Sequence, residues 1–284
     1  MIERAPETQE LEPLRGIRWW GTTDTGKFRK HNEDAFLALT LDAREVRRLG
    51  KYGEATLAEG DFVFAVSDGM GGAKAGEFAS RIAVDKITQW LPKSFGLAAA
   101  GLHRGQLDYL TEVVENIHKE MTSMSFFYEE CRGMGATLSM LWFGPKRVHF
   151  AHVGDSRIYY VAAGQKAPRQ LTEDHTFVGQ LVRTGRISPT QAKVHPQRNV
   201  LQQALGGQAT RIEPQLGTVY LSPGDRLILV SDGVSGVIGD PSLAALAAAP
   251  NALRKEESPA ERLVHEAIAN HSRDNATAIV VEVF

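Results

Sequence analysis

A chain of 284 residues, 43% hydrophobic and 23% charged, is long enough for one sizeable core and too apolar to be disordered. Its formal charge is −2 and its Lys and Arg residues are scattered, which gives no general attraction to nucleic acid or an anionic membrane. A single cysteine, Cys131, excludes an internal disulfide and a thiolate zinc site and suits a reducing compartment.

Residues 1–16 are polar, carry Pro6 and Pro13, and are expected to form a flexible arm ahead of one domain over residues 17–284. The arm lacks the apolar stretch and cleavage site of a leader, and no later run reaches membrane-spanning length, so a cytoplasmic protein without membrane contact is expected. Segments rich in β-branched and aromatic residues predict strands at 17–23, 35–39, 61–67, 136–143, 147–153, 157–162, 217–221, 226–231 and 277–283. Between the third and fourth, helical spacing gathers Phe78, Ile82, Ile87 and Trp90 on one face. A second helix gathers Leu107, Leu110, Val114, Ile117, Met121 and Met124, and both stripes read as core. Residues 41–60 and 92–106 read as long loops. Ser188-Pro189, Asp240-Pro241 and Ser258-Pro259 each open a further helix with a capping side chain and an early proline. Runs of strands with helices between them predict antiparallel sheets flanked by helices, an α+β fold.

Acids recur where these apolar segments end. FVFAVSDGMGG places Asp68 after one and LILVSDGVSG places Asp232 after another; Asp34 opens AFLAL behind Asn32 and Glu33, Asp155 follows FAHVG, and Asp274 precedes ATAIVVEV. Taken singly, an Asp before Gly is ordinary turn chemistry. Gathered at one edge, the carboxylates would repel and lose hydration at a cost of several kcal/mol unless positive charge sat among them. The lysines beside these motifs are Lys27, Lys30 and Lys74. An all-oxygen donor set, with no His or Cys at ligand spacing, points to hard divalent cations such as Mg²⁺ or Mn²⁺. Gly69, with no side chain, would let its carbonyl approach one.

RKHNEDAF, SDGMGG, GATL, HVGDSRIY, LVSDGV and SRDNATAIVV, in that order, resemble the successive motifs of the metal-dependent Ser/Thr protein phosphatases of type 2C, the PPM family, in its bacterial-like branch. The resemblance implies a four-layer α/β/β/α sandwich, two antiparallel β-sheets flanked by helices, with a metal centre at one edge. It implies two Mn²⁺ or Mg²⁺ ions per active site, with a third in some bacterial-like members. Carried over position by position, Asp68 would bridge both ions, with Asp232 and Asp274 on one. The Gly69 carbonyl and Glu33 or Asp34 would serve the other, directly or through water, and Asp155 would share a third ion with Asp232. Arg29 would grip the substrate phosphate, since its planar guanidinium can bind two oxygens at once.

The reaction so implied is hydrolysis of phosphoserine or phosphothreonine by in-line attack of a water held between two ions about 4 Å apart. Partners would be phosphorylated proteins made by a Ser/Thr kinase, in a signalling role, and a monomer is expected. Residues 174–207 correspond to the family's flap, a segment that would shape which phosphoprotein fits. Eukaryotic members often carry His after the first Asp-Gly, where this chain has Met70. Metal-held water, or one of His31, His152, His175 and His195, would then protonate the leaving oxygen. Two rival readings are a lipase-like hydrolase with Ser156 of Gly-Asp-Ser as nucleophile, and a phosphoprotein-binding scaffold without turnover. Against the first, the motif lies mid-chain and neither His265 nor His271 follows an Asp by three residues.

Overall fold

A strand that is apolar at every position must be covered on both faces, and the two runs ending in Ser-Asp-Gly are strands of that kind. The structure, a computed structural model, describes residues 14–42, 45–99, 105–144, 147–207, 211–248 and 256–284. The first run is β5 (Asp61–Met70), preceded by β1 (Gly16–Asp24), β2 (Asp34–Leu41), β3 (Val46–Arg48) and β4 (Tyr52–Thr56). Then come α1 (Ala73–Ala99), α2 (Gln106–Phe127), β6 (Gly135–Ala136), β7 (Leu138–Phe143), β8 (Val148–Val153), β9 (Arg157–Val161) and β10 (Arg169–Gln170). The chain continues through α3 (Phe177–Arg183), α4 (Pro189–Val194), β11 (Leu205–Gly206) and β12 (Gln215–Val219). It ends with β13 (Arg226–Val230), which is the second run, α5 (Asp232–Ser235), α6 (Asp240–Ala247), α7 (Pro259–Ala269) and β14 (Ala276–Val283).

Among the described residues all ladders are antiparallel, in two sheets. One runs β10-β9-β13-β14-β1-β4. The other has β5 at its centre between β2 and β7, continues to β8 and β12, and at the tip of β5 adds β6 and β11. The sheets face each other across a core that takes Phe62, Phe64 and Val66 from β5, Leu227 and Leu229 from β13, and Ile279 and Val281 from β14. Alternate residues go the other way. Val63 and Ala65 pack under α1 and α2, while Ile228, Val230, Ala278 and Val280 pack under α6 and α7. Helix, sheet, sheet, helix is therefore the layer order, as the resemblance implies.

All nine predicted strands are present, the fourth divided into β6 and β7. The second helix buries its expected stripe, with Leu107 and Met124 at the margin. The first buries Ile87 and packs Ile82 and Trp90 against the core, but Phe78 is 59% exposed, and the rest of the buried apolar face is Ala75, Ala79, Ala83, Val84 and Leu91. Small residues there let α1 lie close on β5. Residues 41–60 are not a loop but include β3 and β4, and α1 continues through the segment read as a loop as far as Ala99. Capping boxes open α4 at Ser188 and α7 at Ser258, whereas α6 is capped by Gly239 with Asp240 inside its first turn. Of the expected arm, residues 1–13 lie outside the described residues. The fold begins before Ile17: Leu14 is buried, and the Arg15 and Gly16 N–H groups donate to the Phe284 carbonyl.

His152, wholly buried on β8, lies 2.9 Å from Ser139 Oγ and donates from Nε2 to the Glu173 carbonyl. Burial, with the neighbouring His175, lowers its pKa from 6.5 to about 3. The unfolded chain takes up this proton near pH 6.5 and the folded chain does not, so the stabilisation by neutral His152 is complete above 6.5 and is lost on acidification. The stability difference between the protein and His152→Gln, from urea titrations, is expected to be flat above pH 6.5. Below that it should fall by about 1.4 kcal/mol per pH unit; a difference independent of pH would contradict this.

Candidate functional site

Each Ser-Asp-Gly ending is tied to its neighbours by its serine and its backbone. At the tip of β5, Ser67 Oγ donates to the Thr137 carbonyl (2.7 Å), the Asp68 N–H donates to Thr137 Oγ1 (2.9 Å), and the Thr137 N–H donates to the Asp68 carbonyl (2.8 Å). At the tip of β13, Ser231 Oγ donates to Asp34 Oδ2 (2.7 Å) and accepts from the Thr277 N–H (3.0 Å). With the backbone satisfied in this way, the carboxylates of Asp68 and Asp232 are left to project from the sheet edges.

The loop between β1 and β2 is held against the start of β14 by one side chain. Asn275 Oδ1 accepts from the Glu33 N–H (2.8 Å), and Asn275 Nδ2 donates to the carbonyls of Thr25 and His31 (2.9 Å each). Arg29 Nη2 donates to Asp274 Oδ2 at 2.6 Å. The result is an open cleft of about 590 Å³ lined by Arg29, Glu33, Asp68, Gly69, Asp155, Asp232 and Asp274, together with Lys30, His31, Met70 and Thr137. From residues 174–207, Asn199 and Leu201 reach the same cleft. That segment is anchored beside Asp155 by the Arg157–Asp174 ion pair (2.6 Å), by the His175 N–H on the Gly154 carbonyl (2.7 Å), and internally by a bridge from Thr176 to Leu201.

Asp34 departs from the expected set. It stands opposite Asp68 in the β2–β5 ladder, is buried behind the cleft, and spends an oxygen on Ser231, so it does not line the opening. Glu33 does. Sequence reasoning did not single out Asn275 or Thr137, although both sit in motifs it quoted, SRDNATAIVV and GATL. For Asn275 the signal is a polar residue directly after a strand-end acid; Thr137 has no acid beside it in the sequence and meets Asp68 only through the fold. Of the four histidines considered as proton donors, His31 lines the cleft, while His152 and His175 are buried and burial lowers their pKa values to about 3 and about 4. Ser156 is wholly buried with Oγ 2.5 Å from Thr137 Oγ1, which removes the nucleophile of the lipase-like reading.

The acids are held at an electrostatic cost. Burial, then the charges of Asp34, Asp232, Asp155 and Asp274, push Asp68 well above the carboxylate range. Burial, with Asp232 and Asp174, pushes Asp155 up to about 8; burial also takes Asp34 to about 7 despite its hydrogen bonds from Thr277 and Ser231. Asp232 is raised by burial and by Asp274, and its Oδ1 is buried without a partner. Among the described residues no three acids close on one point as a finished cage. They line a common cleft, and Asp274 turns one oxygen to Arg29. An orphaned carboxylate oxygen, an all-oxygen donor set and mutual repulsion are together the properties of a site for hard divalent cations.

The sequence matches the family model described as Protein phosphatase 2C over residues 51–280. The chain belongs to the protein phosphatase 2C family. It is similar to the protein phosphatase PhpP of Streptococcus pneumoniae, 33% identical over 76% of this chain and 78% of that protein. It is also similar to the Ser/Thr phosphatase stp of Listeria monocytogenes, 30% identical over 92% and 93%. Among solved structures, the Ser/Thr phosphatase of S. agalactiae superposes with a TM-score of 0.76 at 26% identity, covering 94% of this chain and 100% of that one. The catalytic domain of PstP in complex with two manganese ions gives 0.71 at 28% identity, covering 94% and 98%. The two-sheet sandwich is thus the phosphatase 2C fold. Arg29 and Glu33 precede the matched region and are joined to it through Asp274 and Asn275.

A carboxylate with a raised pKa favours the folded state below that pKa and loses the advantage as pH rises through it. In EDTA above pH 8, Asp232→Asn is therefore expected to melt higher than the parent chain, by about 2–4 °C for each kcal/mol of repulsion relieved. Excess Mn²⁺ should reverse that order in calorimetric scans. A variant that melts lower than the parent in EDTA would contradict the electrostatic account.

Proposed function

We propose that Asp68, Asp232 and Asp274, with Glu33 and the Gly69 carbonyl, hold two Mn²⁺ or Mg²⁺ ions, and that the chain uses them to hydrolyse phosphoserine and phosphothreonine in proteins. The observation that carries this reading is the gathering of five carboxylates, from Glu33, Asp68, Asp155, Asp232 and Asp274, along one cleft beside Arg29. We assign a third ion to Asp155, which lines the same cleft as Asp232 and feels its charge. Asp34 acts through Ser231, fixing the tip of β13 rather than reaching into the cleft.

Bound there, the divalent cations supply an activated water and neutralise the charge of the phosphate. The chain's own groups do the rest. Arg29 uses one N–H on Asp274 and keeps the remaining donors of its guanidinium for phosphate oxygens. Thr137 and Asn275 hold the backbone on either side so that the oxygens do not shift when phosphate enters. Asn199 and Leu201 face the same opening from the flap, residues 174–207, and meet whatever flanks the phosphorylated residue. The catalytic domain is taken as residues 17–284 together with Leu14 to Gly16, which close onto Phe284. We place the enzyme in the cytoplasm, as a monomer opposing a Ser/Thr kinase in signalling; a buried free Cys131 and the absence of a membrane-crossing helix among the described residues support that setting.

Phosphate release from a phosphothreonine peptide and from p-nitrophenyl phosphate should require Mn²⁺ and cease in EDTA. Asp68→Asn should lower kcat on the order of 100-fold or more. Arg29→Ala should lower kcat/KM by about 10- to 100-fold, the loss of a charge-assisted hydrogen bond. Full activity in EDTA, or an unimpaired Asp68→Asn, would refute the reading. Replacing Asn199 and Leu201 by Ala should change kcat/KM for phosphopeptides more than for p-nitrophenyl phosphate, and equal losses on both would contradict a role in fitting the substrate.

A further inference from the structure

Gly76, in the first turn of α1, does not line the cleft. Nothing in the helix calls for it. Glycine costs about 1 kcal/mol against alanine inside a helix, and the backbone of Gly76 is not among those in the left-handed region. What it supplies is a close approach. A Cβ on Gly76 would stand 2.2 Å from Glu33 Oε2 and 3.0 Å from the Gly69 carbonyl oxygen. In return, a Cβ on Gly69 would stand 1.9 Å from the Gly76 carbonyl oxygen. Two glycines, one at the tip of β5 and one in α1, thus face each other without side chains between them. The Gly69 N–H donates to the Glu33 carbonyl (3.0 Å), which brings the third segment into the same contact.

We infer that Gly76 is a positioning residue for the metal centre: the side chain it lacks leaves the space in which the Glu33 carboxylate comes to rest beside the Gly69 carbonyl, so that both oxygens serve one cation. This rests on the assignment of Glu33 and Gly69 as oxygen donors made above. A methyl group at position 76 overlaps the far end of the flexible Glu33 side chain and presses less closely on the Gly69 carbonyl, so the Glu33 carboxylate is the group displaced in Gly76→Ala. It acts on the cation through Glu33 and touches no substrate.

The test is Mn²⁺ binding by titration calorimetry on the full chain, with circular dichroism to check the fold, for Gly76→Ala, Glu33→Ala and the double variant. Gly76→Ala is expected to weaken one Mn²⁺ site about tenfold, the usual scale for a residue that orients a ligand. The double variant should bind no more weakly than Glu33→Ala alone. Wild-type affinity in Gly76→Ala, with Glu33→Ala weakened, overturns this inference and leaves the metal assignment standing. An equal loss from Gly76→Ala in the Glu33→Ala background also overturns it, because the effect would not pass through Glu33. Unchanged affinity in Glu33→Ala overturns the assignment of Glu33 itself and the inference with it. If Gly76→Ala unfolds, refolding in the double variant supports the contact, and failure to refold there counts against it.

Discussion

Like charges held together out of water set the condition on which this molecule depends. Asp68, Asp155, Asp232, Asp274 and Glu33 line one half-buried cleft, with Asp34 directly behind Asp68. Arg29 and Lys30 share the opening, yet the pKa values of Asp68 and Asp155 remain raised by burial and by neighbouring acids, Asp232 among them. The fold therefore holds in place a group of oxygens that are stable as anions only beside further positive charge. Divalent cations meet that condition, and the phosphate they attract is the substrate of the family to which the chain belongs.

Rigidity keeps the acids from relaxing apart. β5 and β13 are buried on both faces, so their tips are fixed by the inter-sheet core on one side and by helices on the other. At the tips, Ser67, Ser231, Thr137 and Asn275 tie adjacent strands and the β1–β2 loop together through short hydrogen bonds. The sheets place the acids; these small polar residues stop them turning away. Residues 174–207 are attached next to Asp155 through Arg157 and His175, so that segment and one wall of the cleft share their anchors.

Much of this was legible in the sequence for a physical reason. Strands buried on both faces appear as unbroken apolar runs, and an acid after such a run stands out, so β5, β13 and β14 and the acids at their ends were all readable. The short strands were not. β4 (YGEAT) alternates exposed and half-buried positions at a sheet edge, and β10 and β11 are two residues long. On α1 only Phe78 of the expected stripe falls outside the buried face, whose centre is instead a row of alanines, because alanine packs closely but contributes little to a hydrophobic pattern. Between adjacent Glu33 and Asp34, residue type cannot tell which faces the cleft. That is set by the register of β2 on β5, which turns Asp34 towards Ser231.

Displacement of protons by cations is the most direct consequence of holding these acids together out of water. Calorimetric titration of Mn²⁺ at pH 7, repeated in buffers of different ionisation enthalpy, measures this directly. The account predicts that binding releases on the order of one proton per chain, because burial and the charge of Asp232 raise Asp155 to about 8 in the metal-free protein. Binding heats that do not depend on the buffer, or no binding at all, would contradict it.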